Sequence, residues 1–380
     1  MNKILFLHTN YRIFGGEDVA VNNEIEYLSN HYNVRSLFFN NSNKINLNDL
    51  NTFLFQTDVI AKTALNKEID ISYPDIAYVH NIWFRGSLSL ISTLLKKNIK
   101  VVLKLHNFRF DCANALHFRD NNICHDCTPG NRLPGIKYKC YENSYLKSIF
   151  ITQFGKKYLE LLKSSNLEIL VTTEFHKEYL SKSGVNSEKI HISPNMFPLA
   201  KTKPTYSPLK RNSFLYAGRL SAEKGLFELI NVWKEINAKN YKLIIAGDGP
   251  LKKDIAKHVN QLNSIELMGF VPQEKLYEVM RTCRAVISAT KVYENHPTLL
   301  TEASLMGVPS IFPNFGGMKY FFPENYPLMF NQYNYQELIS IVEMTKDDTL
   351  MERLGADVYN HIQKHLSSYN LEKIFNRFMK

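Results

Sequence analysis

The chain has 380 residues, of which 44% are hydrophobic and 22% charged, and its formal net charge at pH 7 is +10. This length is typical of two domains, and the composition is that of a soluble globular protein, which excludes a fibrous or wholly disordered chain. No apolar run approaches the roughly 18 residues of a membrane-spanning helix, and Met1–His8 has too short an apolar core for a signal peptide. We therefore expect a cytoplasmic protein.

Strands and helices are predicted to alternate along the first half of the chain. Short apolar runs predict the strands Lys3–His8, Val34–Phe39, Ile76–His80, Val101–His106, Ile169–Thr173 and Ile190–Ile192. Helical periodicity lies between them, for example over Val19–Leu28 and Leu88–Lys97. This alternation indicates an α/β fold with a parallel sheet that is covered by helices on both faces.

The second half repeats the pattern after a proline-containing stretch, Phe197–Asn212, which we interpret as a linker. Its predicted strands are Phe214–Ala217, Lys242–Ala246, Ile265–Met268, Ala285–Ser288 and Val308–Phe312. We therefore predict a first domain over residues 1–197, a linker over 198–212, a second domain over 213–365 and a C-terminal helix within 366–380.

Two cations follow the first predicted strand of the second domain. Gly218 ends this strand, Arg219 and Lys224 lie on the loop after it, and Gly225 precedes the helical segment Leu226–Ile236. Arg offers a forked donor and Lys a mobile point charge, and both suit a diphosphate. Ligands of open parallel sheets bind at this edge, so the loop is a candidate phosphate site.

Two carboxylates flank a predicted helix start further along. Glu294 precedes Pro297, Glu302 lies about one turn inside the helix that begins at Thr298, and Gly307 ends this helix. The N–H groups and partial positive charge at a helix start suit a phosphate. Glu302 could then accept a hydrogen bond from a ribose or sugar hydroxyl beside that phosphate.

Together, the G-R-x4-K-G pattern at Gly218–Gly225 and the E-x7-E pattern at Glu294–Glu302 resemble the signature of the retaining GT-B glycosyltransferases of family 4. The resemblance implies two doubly wound, Rossmann-like parallel-sheet domains that face each other across a cleft, with the last helix crossing back to the first domain. It also implies a nucleotide-diphosphate sugar donor. The residues that it assigns to the donor are Arg219 and Lys224 for the diphosphate, Glu294 for the sugar, Thr298, Leu299 and Leu300 as donors at the helix start, and Glu302 for the ribose.

Weaker features are similar to the same family. Gly15 and Gly16 follow the first strand, where paired glycines let the backbone approach a ligand. The segment Gly269–Val271, which includes Phe270, resembles the one beside which the nucleotide base packs, and it leaves UDP and GDP both open. His296 stands where the family commonly has an aromatic residue after the first glutamate, and we predict that it contacts the donor or alters donor choice.

His106 ends a predicted strand of the first domain and is the other catalytic candidate. Family members often carry His-Asp at this point, whereas here Asn107 follows. Without that carboxylate, both a proton-transferring role and a hydrogen-bonded structural role for His106 stay open. His80 ends the preceding strand and is expected on the acceptor side.

Four cysteines, Cys112, Cys124, Cys127 and Cys140, fall within a predicted insert over residues 108–145. In a cytoplasmic chain this spacing favours a structural zinc site over disulfides, and four reduced thiols packed under a loop are the alternative. Because two cations already face the diphosphate, we expect no catalytic divalent metal.

The region from Lys96 to Lys163 is basic, with thirteen Lys or Arg and five Asp or Glu. Its aromatic residues look exposed, namely Phe108, Phe110, Phe118, Tyr138, Tyr141 and Tyr145. A cationic, aromatic surface suits anionic lipid headgroups at the inner face of the cytoplasmic membrane. Phosphate attraction alone would also fit nucleic acid, but no nucleic-acid fold motif accompanies it, and ordinary solubilising charge is a further alternative.

The sequence therefore predicts a retaining, metal-independent glycosyltransferase of surface-polysaccharide biosynthesis, such as that of capsule or lipopolysaccharide. The resemblance implies a glycan acceptor carried on a polyprenyl diphosphate. Two alternatives remain open: a GT-B-fold sugar-nucleotide epimerase, and a binding protein that has lost turnover.

Overall fold

A computed structural model describes residues 2–10, 16–41, 52, 55–128, 130–164, 166–197, 206–209, 211–236, 241–369 and 371–379. The chain forms two compact units. The first comprises Met1–His117, His125–Pro198 and Tyr369–Lys380, and the second comprises Phe118–Cys124 and Leu199–Ser368. Gly15 and most of the predicted linker lie outside the described residues.

The first unit contains a six-stranded parallel sheet in the order β2-β1-β3-β4-β7-β8. Its strands are β1 (Lys3–Asn10), β2 (Asn33–Asn40), β3 (Ile76–Val79), β4 (Lys100–Leu105), β7 (Glu168–Val171) and β8 (Ile190–Ile192). Its helices are α1 (Gly16–Ser29), α2 (Val59–Ser72), α3 (Ser87–Lys96), α4 (Leu133–Lys137), α5 (Tyr145–Ser164), α6 (Glu174–Lys182) and α13 (Leu371–Phe378). All six strands were predicted, with ends that differ by at most two residues.

The second unit repeats this architecture with the strand order β11-β10-β9-β12-β13-β14. Its strands are β9 (Ser213–Ala217), β10 (Lys242–Ala246), β11 (Ile265–Gly269), β12 (Ala285–Ile287), β13 (Ser310–Pro313) and β14 (Met329–Phe330). Its helices are α7 (Leu226–Glu235), α8 (Lys252–Val259), α9 (Gln273–Thr282), α10 (Thr298–Leu305), α11 (Glu337–Met344) and α12 (Asp348–Ser368). Both sheets are parallel, which confirms the prediction of two Rossmann-like α/β sheets.

A short hairpin from the cysteine-containing region packs with the second unit. It consists of β5 (Phe118–Arg119) and β6 (Asn122–Ile123), which the sequence analysis did not predict. The Lys291 ammonium donates to the Asn121 side chain at 2.6 Å, and the N–H of Ile123 donates to the Tyr333 hydroxyl at 2.7 Å. These polar contacts hold the hairpin against the loop that follows β12.

The C-terminal helix α13 packs into the core of the first unit. Phe375 is fully buried, and its ring centroid lies 4.9 Å from that of Tyr78 on β3. Phe6 of β1 belongs to the same buried cluster. The last residues of the chain therefore complete the hydrophobic core that its first strand begins.

The aromatic residues of the basic region divide into buried and exposed groups. Phe108 and Phe110 were predicted to be exposed, but they are buried, because they pack around the ring of Tyr179 on α6. Tyr138 and Tyr145 are 46% and 55% exposed. None of the helices in the described ranges is long and apolar enough to cross a membrane.

Candidate functional site

Three neighbouring strands of the second sheet end in glycines that fit closely together. Gly218, Gly247 and Gly269 follow or end β9, β10 and β11, and their φ angles are +155°, +144° and +69°. The N–H of Gly247 donates to the Gly269 carbonyl at 2.8 Å, and a Cβ on Gly247 would lie 1.9 Å from the Gly218 carbonyl oxygen. Nothing in the described residues lies within 4 Å of a Cβ built on Gly269. These turns therefore hold the strand ends together while leaving open space beside them.

A glycine also positions the loop that carries Lys224. This residue ends a short 3₁₀ turn, and Gly225 follows with φ +66° before α7 begins. A Cβ on Gly225 would lie 1.9 Å from the carbonyl oxygen of Ala289, so only glycine fits here. The close approach places Lys224 beside the loop after β12, which leads to Glu294.

Lys224 and Glu294 form an ion pair, although 70 positions separate them in the chain. The Thr290 hydroxyl donates to the same Glu294 oxygen, Oε1, at 3.1 Å. Burial opposes the charge on Lys224, but the Glu294 carboxylate outweighs this effect and raises the pKa of Lys224 above its ordinary value. The two side chains remain 30% and 23% exposed, so a ligand can reach the pair.

Arg219 lies on the same loop as Lys224 and is exposed. Its carbonyl accepts a hydrogen bond from the Tyr216 hydroxyl at 3.3 Å, and the N–H of Leu220 donates to the Asp248 carbonyl at 2.9 Å. The backbone is therefore fixed on both sides of Arg219, while its side chain extends from the surface of the loop. The structure places Arg219 and Lys224 on one loop at the carboxyl end of β9.

Helix α10 begins at Thr298, as the sequence predicts. Thr298 and Leu299 are half-buried, whereas Leu300 is 1% exposed and its side chain belongs to the core. The first turn of a helix leaves N–H groups without intrahelical acceptors, so these three residues can offer backbone donors. Because the Leu300 side chain is buried, Leu300 can contact a ligand only through its backbone N–H group.

Glu302 is held by two side chains that the sequence analysis missed. Its Oε1 accepts hydrogen bonds from the Tyr277 hydroxyl at 2.7 Å and from the Gln273 amide at 3.3 Å. Burial raises the pKa of Glu302, and the two hydrogen bonds partly oppose the rise. Gln273 and Tyr277 are four residues apart on one face of α9, and this spacing is the signal that could have suggested a shared partner.

His296 packs inside its own unit beside the start of α10. Its ring centroid lies 4.2 Å from that of Phe321, and its Nε2 lies 3.2 Å from the Thr301 hydroxyl. In the segment Gly269–Val271, by contrast, the side chain of Phe270 is 76% exposed. An exposed aromatic ring beside the glycine turn of β11 is available to a planar ligand.

In the first unit, His80 and His106 follow the adjacent strands β3 and β4. Their ring centroids lie 5.2 Å apart, and Nδ1 of His80 lies 3.0 Å from Nε2 of His106. Burial lowers the pKa of His80 to about 4, although the Glu24 carboxylate opposes this shift. Burial likewise lowers the pKa of His106, and the neighbouring His80 and Lys104 add to the effect. Both imidazoles are therefore neutral near pH 7.

A buried carboxylate lies behind these histidines. Glu24 of α1 is fully buried, forms an ion pair with Lys104 of β4, and accepts a hydrogen bond from the Tyr78 hydroxyl at 2.6 Å. One of its oxygens lies 3.4 Å from Nε2 of His80. Burial alone would raise the pKa of Glu24, but Lys104 and His80 outweigh it and hold this pKa at about 2. The sequence analysis missed Glu24, although a lysine inside an apolar strand signals a buried partner.

His106 and Asn107 border a pocket of the first unit. Trp83, Arg109 and Tyr158 are among its other lining residues. The Asn107 side chain accepts a hydrogen bond from the N–H of Arg109 at 3.1 Å, so it shapes the loop after β4.

Gly16 begins α1, and the helix therefore starts where the paired glycines were predicted to approach a ligand.

The four cysteines do not form the predicted zinc site. Within the described ranges, no group of three or more His, Cys, Asp or Glu side chains is arranged to hold a metal ion. Cys124 belongs to the second unit and the other three to the first. Cys112 donates to the Asn114 side chain at 3.0 Å, and burial raises the pKa of Cys112 to about 11. None of the five cysteines, all of which lie in the described ranges, forms a disulfide.

Comparison with known proteins gives one family and many related folds. Residues 200–361 match the family described as "Glycosyl transferases group 1". The amylovoran biosynthesis glycosyltransferase AmsD of Erwinia amylovora is 28% identical over 151 residues, which cover 38% of this chain and 42% of that protein. The alpha-D-kanosaminyltransferase of Streptomyces kanamyceticus is 22% identical over 49% of this chain and 53% of its own length. These alignments thus span about half of each relative or less.

Solved structures resemble the chain over nearly its whole length. Sucrose-phosphate synthase from Thermosynechococcus elongatus has a TM-score of 0.70 at 15% identity, with 99% of this chain and 97% of that chain covered. The Anabaena protein Alr3699/HepE in complex with UDP-glucose has a TM-score of 0.67 at 14% identity, with 99% and 98% covered. At this identity the likeness shows the fold, which is the GT-B fold.

Proposed function

We propose, from the match of residues 200–361 to the group 1 glycosyltransferases, that this protein transfers a sugar from a nucleotide-diphosphate sugar to a glycan acceptor. The observation that carries the proposal is the Lys224–Glu294 ion pair at the carboxyl edge of the second sheet. It joins the loop of Arg219 to the segment before α10. The transfer is expected to retain the anomeric configuration and to need no divalent metal, because two cations face the diphosphate.

Each donor residue has a role that its geometry supports. Arg219 and Lys224 bind the diphosphate and stabilise the charge that develops on the leaving nucleotide. Glu294 orients Lys224 before the donor arrives and accepts hydrogen bonds from the hydroxyls of the transferred sugar. The N–H groups at the start of α10 add donors to the phosphate side.

Glu302 is proposed to accept hydrogen bonds from the ribose. Tyr277 and Gln273 fix its carboxylate through Oε1, and this leaves Oε2 for the ligand. The exposed ring of Phe270 is proposed to lie against the base, and His296 to contribute to donor choice from its position beside Thr301. UDP and GDP both fit these contacts, and the solved complexes with UDP favour UDP.

We propose that His106 accepts the proton of the attacking hydroxyl through its Nδ1. The Glu24 carboxylate favours a proton on Nε2 of His80, which leaves Nδ1 of His80 as an acceptor. Nε2 of His106 then donates to that atom across 3.0 Å. The lone pair of His106 is therefore on Nδ1. Family members often have an aspartate where this chain has Asn107. We propose that Glu24 takes the place of that carboxylate and acts on His106 through His80.

The acceptor is proposed to be a lipid-linked glycan at an anionic membrane surface on the cytoplasmic side. Leu133 begins α4 and Leu146 lies in the first turn of α5, and these side chains are 71% and 63% exposed. The ammonium of Lys139 lies 4.5 Å from the centroid of the exposed Tyr145 ring. Apolar and aromatic side chains mixed with cations suit a headgroup region. Surface-polysaccharide biosynthesis is the proposed pathway, supported by the relative from amylovoran biosynthesis.

The test is titration of the protein with UDP-, GDP-, ADP- and CDP-sugars, read by melting temperature and nucleotide release. Lys224→Ala is compared with Lys242→Ala, whose lysine forms an exposed ion pair on β10 of the same unit. One donor should raise the melting temperature of the wild type and of Lys242→Ala, but not of Lys224→Ala. Equal binding by both variants would contradict the diphosphate assignment.

Slow donor hydrolysis separates a transferase from the two alternatives. A transferase activates the bond between sugar and diphosphate, so water can replace the acceptor and release the nucleotide diphosphate. A non-catalytic binding protein would bind the donor without releasing nucleotide, and an epimerase would return a nucleotide sugar of changed configuration.

A further inference from the structure

A pocket of the first unit contains a guanidinium without a carboxylate partner. Arg109 lies on the loop after β4, and its guanidinium carbon is 5.4 Å from the centroid of the Trp83 ring and 5.9 Å from that of Tyr141. Its Nε and Nη1 atoms are buried and have no hydrogen-bond acceptor in the described part of the chain. None of the ion pairs formed by the described residues includes Arg109. The side chain borders the same pocket as His106.

The half-buried Arg132 and the buried Arg284 have partners for their guanidinium groups. The nearby Arg132 guanidinium donates to the carbonyls of Phe110 at 2.8 Å and Asp111 at 3.0 Å. In the second unit, Arg284 forms hydrogen bonds to the Thr345 carbonyl and an ion pair with Asp348. Because an unpaired buried charge costs several kcal/mol, the unsatisfied donors of Arg109 need an explanation that packing does not supply.

The charge around the pocket favours an anion on the Arg109 side. Lys104 also borders the pocket, but its charge is neutralised by Glu24. Both lining histidines have lowered pKa values and are neutral near pH 7. Glu17, in the first turn of α1, borders the pocket too, and no ion pair joins it to Arg109. Among the described residues, no carboxylate forms an ion pair with the Arg109 guanidinium, and its Nε and Nη1 donors are unsatisfied.

We propose that this pocket binds an anionic group of the acceptor, a carboxylate or a phosphate carried by a sugar, and that Arg109 is its ligand. Trp83, Tyr158 and Glu17 line the same pocket and would lie beside the sugar that carries the anion. This inference rests on the proposed function, since it assigns the charge of the acceptor in that reaction. The anion would supply the hydrogen-bond acceptors that Arg109 lacks.

The test is calorimetric titration of the full chain, saturated with UDP to occupy the donor site, with glucuronate, glucose 1-phosphate and glucose. At least one anionic sugar should bind ten times more tightly than glucose, because a hydrogen bond to a charged group contributes roughly 1.5–3 kcal/mol. Preference for glucuronate would identify an acidic sugar residue as the ligand, and preference for glucose 1-phosphate would identify a phosphate. Equal binding of all three, or binding of none, would overturn the proposal.

Two variants separate a binding role from packing. Arg109→Met should weaken anion binding at least tenfold, whereas Arg35→Met, which removes an exposed cation from β2 of the same unit, should leave it unchanged. Arg109→Lys should keep the preference for anions over glucose at lower affinity. If Arg109→Met binds the anion as the wild type does and melts at a lower temperature, Arg109 is a packing residue and the proposal falls.

The outcome is independent of the donor site. Loss of anion binding in Arg109→Met, with no turnover of any nucleotide sugar, would support an anion pocket while removing the transferase assignment. Turnover of a nucleotide sugar with unchanged anion binding in Arg109→Met would support the transferase assignment and overturn the anion pocket.

Discussion

One lysine–glutamate pair in each unit differs from the other in its access to solvent. In the second unit, Lys224 and Glu294 meet beside glycine turns and remain 30% and 23% exposed. In the first unit, Lys104 and Glu24 are fully buried beneath two neutral histidines. An accessible pair can exchange its internal contact for a ligand, whereas a buried pair cannot leave its place. The comparison separates a site that binds charge from a network that fixes the orientation of neutral groups.

The largest expected effect follows from breaking the buried pair. Lys104→Met leaves the Glu24 carboxylate buried without its cation, which should lower the free energy of unfolding by about 3–5 kcal/mol. Lys242→Met breaks the exposed pair with Glu266 and should cost less than about 1 kcal/mol. Urea unfolding measures both values.

Tryptophan fluorescence can assign the loss to one unit. The chain has two tryptophans, Trp83 in the first unit and Trp233 in the second. In a Trp233→Phe background the fluorescence reports the first unit, where the transition of Lys104→Met should shift. A shift seen equally through Trp233 in a Trp83→Phe background would show that the units unfold together, and the contrast drawn between them would then not apply to stability.

The accessible pair should matter for turnover more than for folding. If Lys224 faces the leaving diphosphate as proposed, Lys224→Met should reduce kcat/KM about 10²–10³-fold, because it removes that cation. Its effect on the free energy of unfolding should be small, since both side chains of the pair are partly exposed. Steady-state nucleotide release and urea unfolding of the same preparation measure the two effects. A large loss of stability with unchanged kcat/KM would show that the Lys224–Glu294 pair serves folding and not turnover.

The sheets and the donor loop could be predicted because their signals are local. Apolar runs give the strands, and the glycines that end β9 and precede α7 fix where Arg219 and Lys224 lie. The E-x7-E spacing locates α10 within one residue, because Pro297 and Gly307 bound it. Local chemistry therefore predicts the elements and the sheet edge at which they present their side chains.

The buried network could not be predicted in the same way. Lys104 is visible as a cation in an apolar strand, but its partner is 80 residues earlier on α1 and is chosen by helix–sheet packing. The same holds for Tyr277, which reaches Glu302 from another helix. The cysteine spacing predicted a zinc site. The described residues contain no group of side chains that is arranged to hold a metal ion.

Acid should weaken the first unit in two steps. The unfolded chain takes up the His80 proton below an ordinary pKa of 6.5, whereas the folded protein does so only near 4, so stability should fall between pH 6.5 and 4. Glu24 has an ordinary pKa of 4.5 and a folded pKa of about 2, so its contribution is present above pH 4.5 and is lost as pH falls towards 2. The charged or titratable neighbours that act on His80 are Glu24, Lys104 and His8.

His80→Phe tests the share of His80 in the upper step, to which His106 adds because burial also lowers its pKa. Phenylalanine can keep the stacking of this ring on Phe6, which has a centroid distance of 4.7 Å, while it removes both nitrogens. The slope of stability between pH 6.5 and 4, followed through Trp83, should decrease in this variant, while the slope below pH 4.5 should remain. An unchanged slope would mean that His80 is not the group that titrates.

The smallest expected effect concerns the residue that fixes Glu302. Tyr277→Phe removes a hydroxyl that donates to Oε1 at 2.7 Å, so the carboxylate should lose orientation while keeping its place on α10. A hydrogen bond to a charged group contributes roughly 1.5–3 kcal/mol, and because Tyr277 acts on the ligand only through Glu302, the Kd of a nucleotide diphosphate should rise by a smaller amount, about five- to tenfold. Binding of a deoxyribose nucleotide tests whether the lost affinity comes from the contact between Glu302 and the ribose hydroxyls. If Glu302 binds the ribose hydroxyls, the preference for UDP over its 2′-deoxy analogue should shrink in Tyr277→Phe, whereas an equal loss of affinity for both ligands would place the contact of Glu302 elsewhere on the nucleotide.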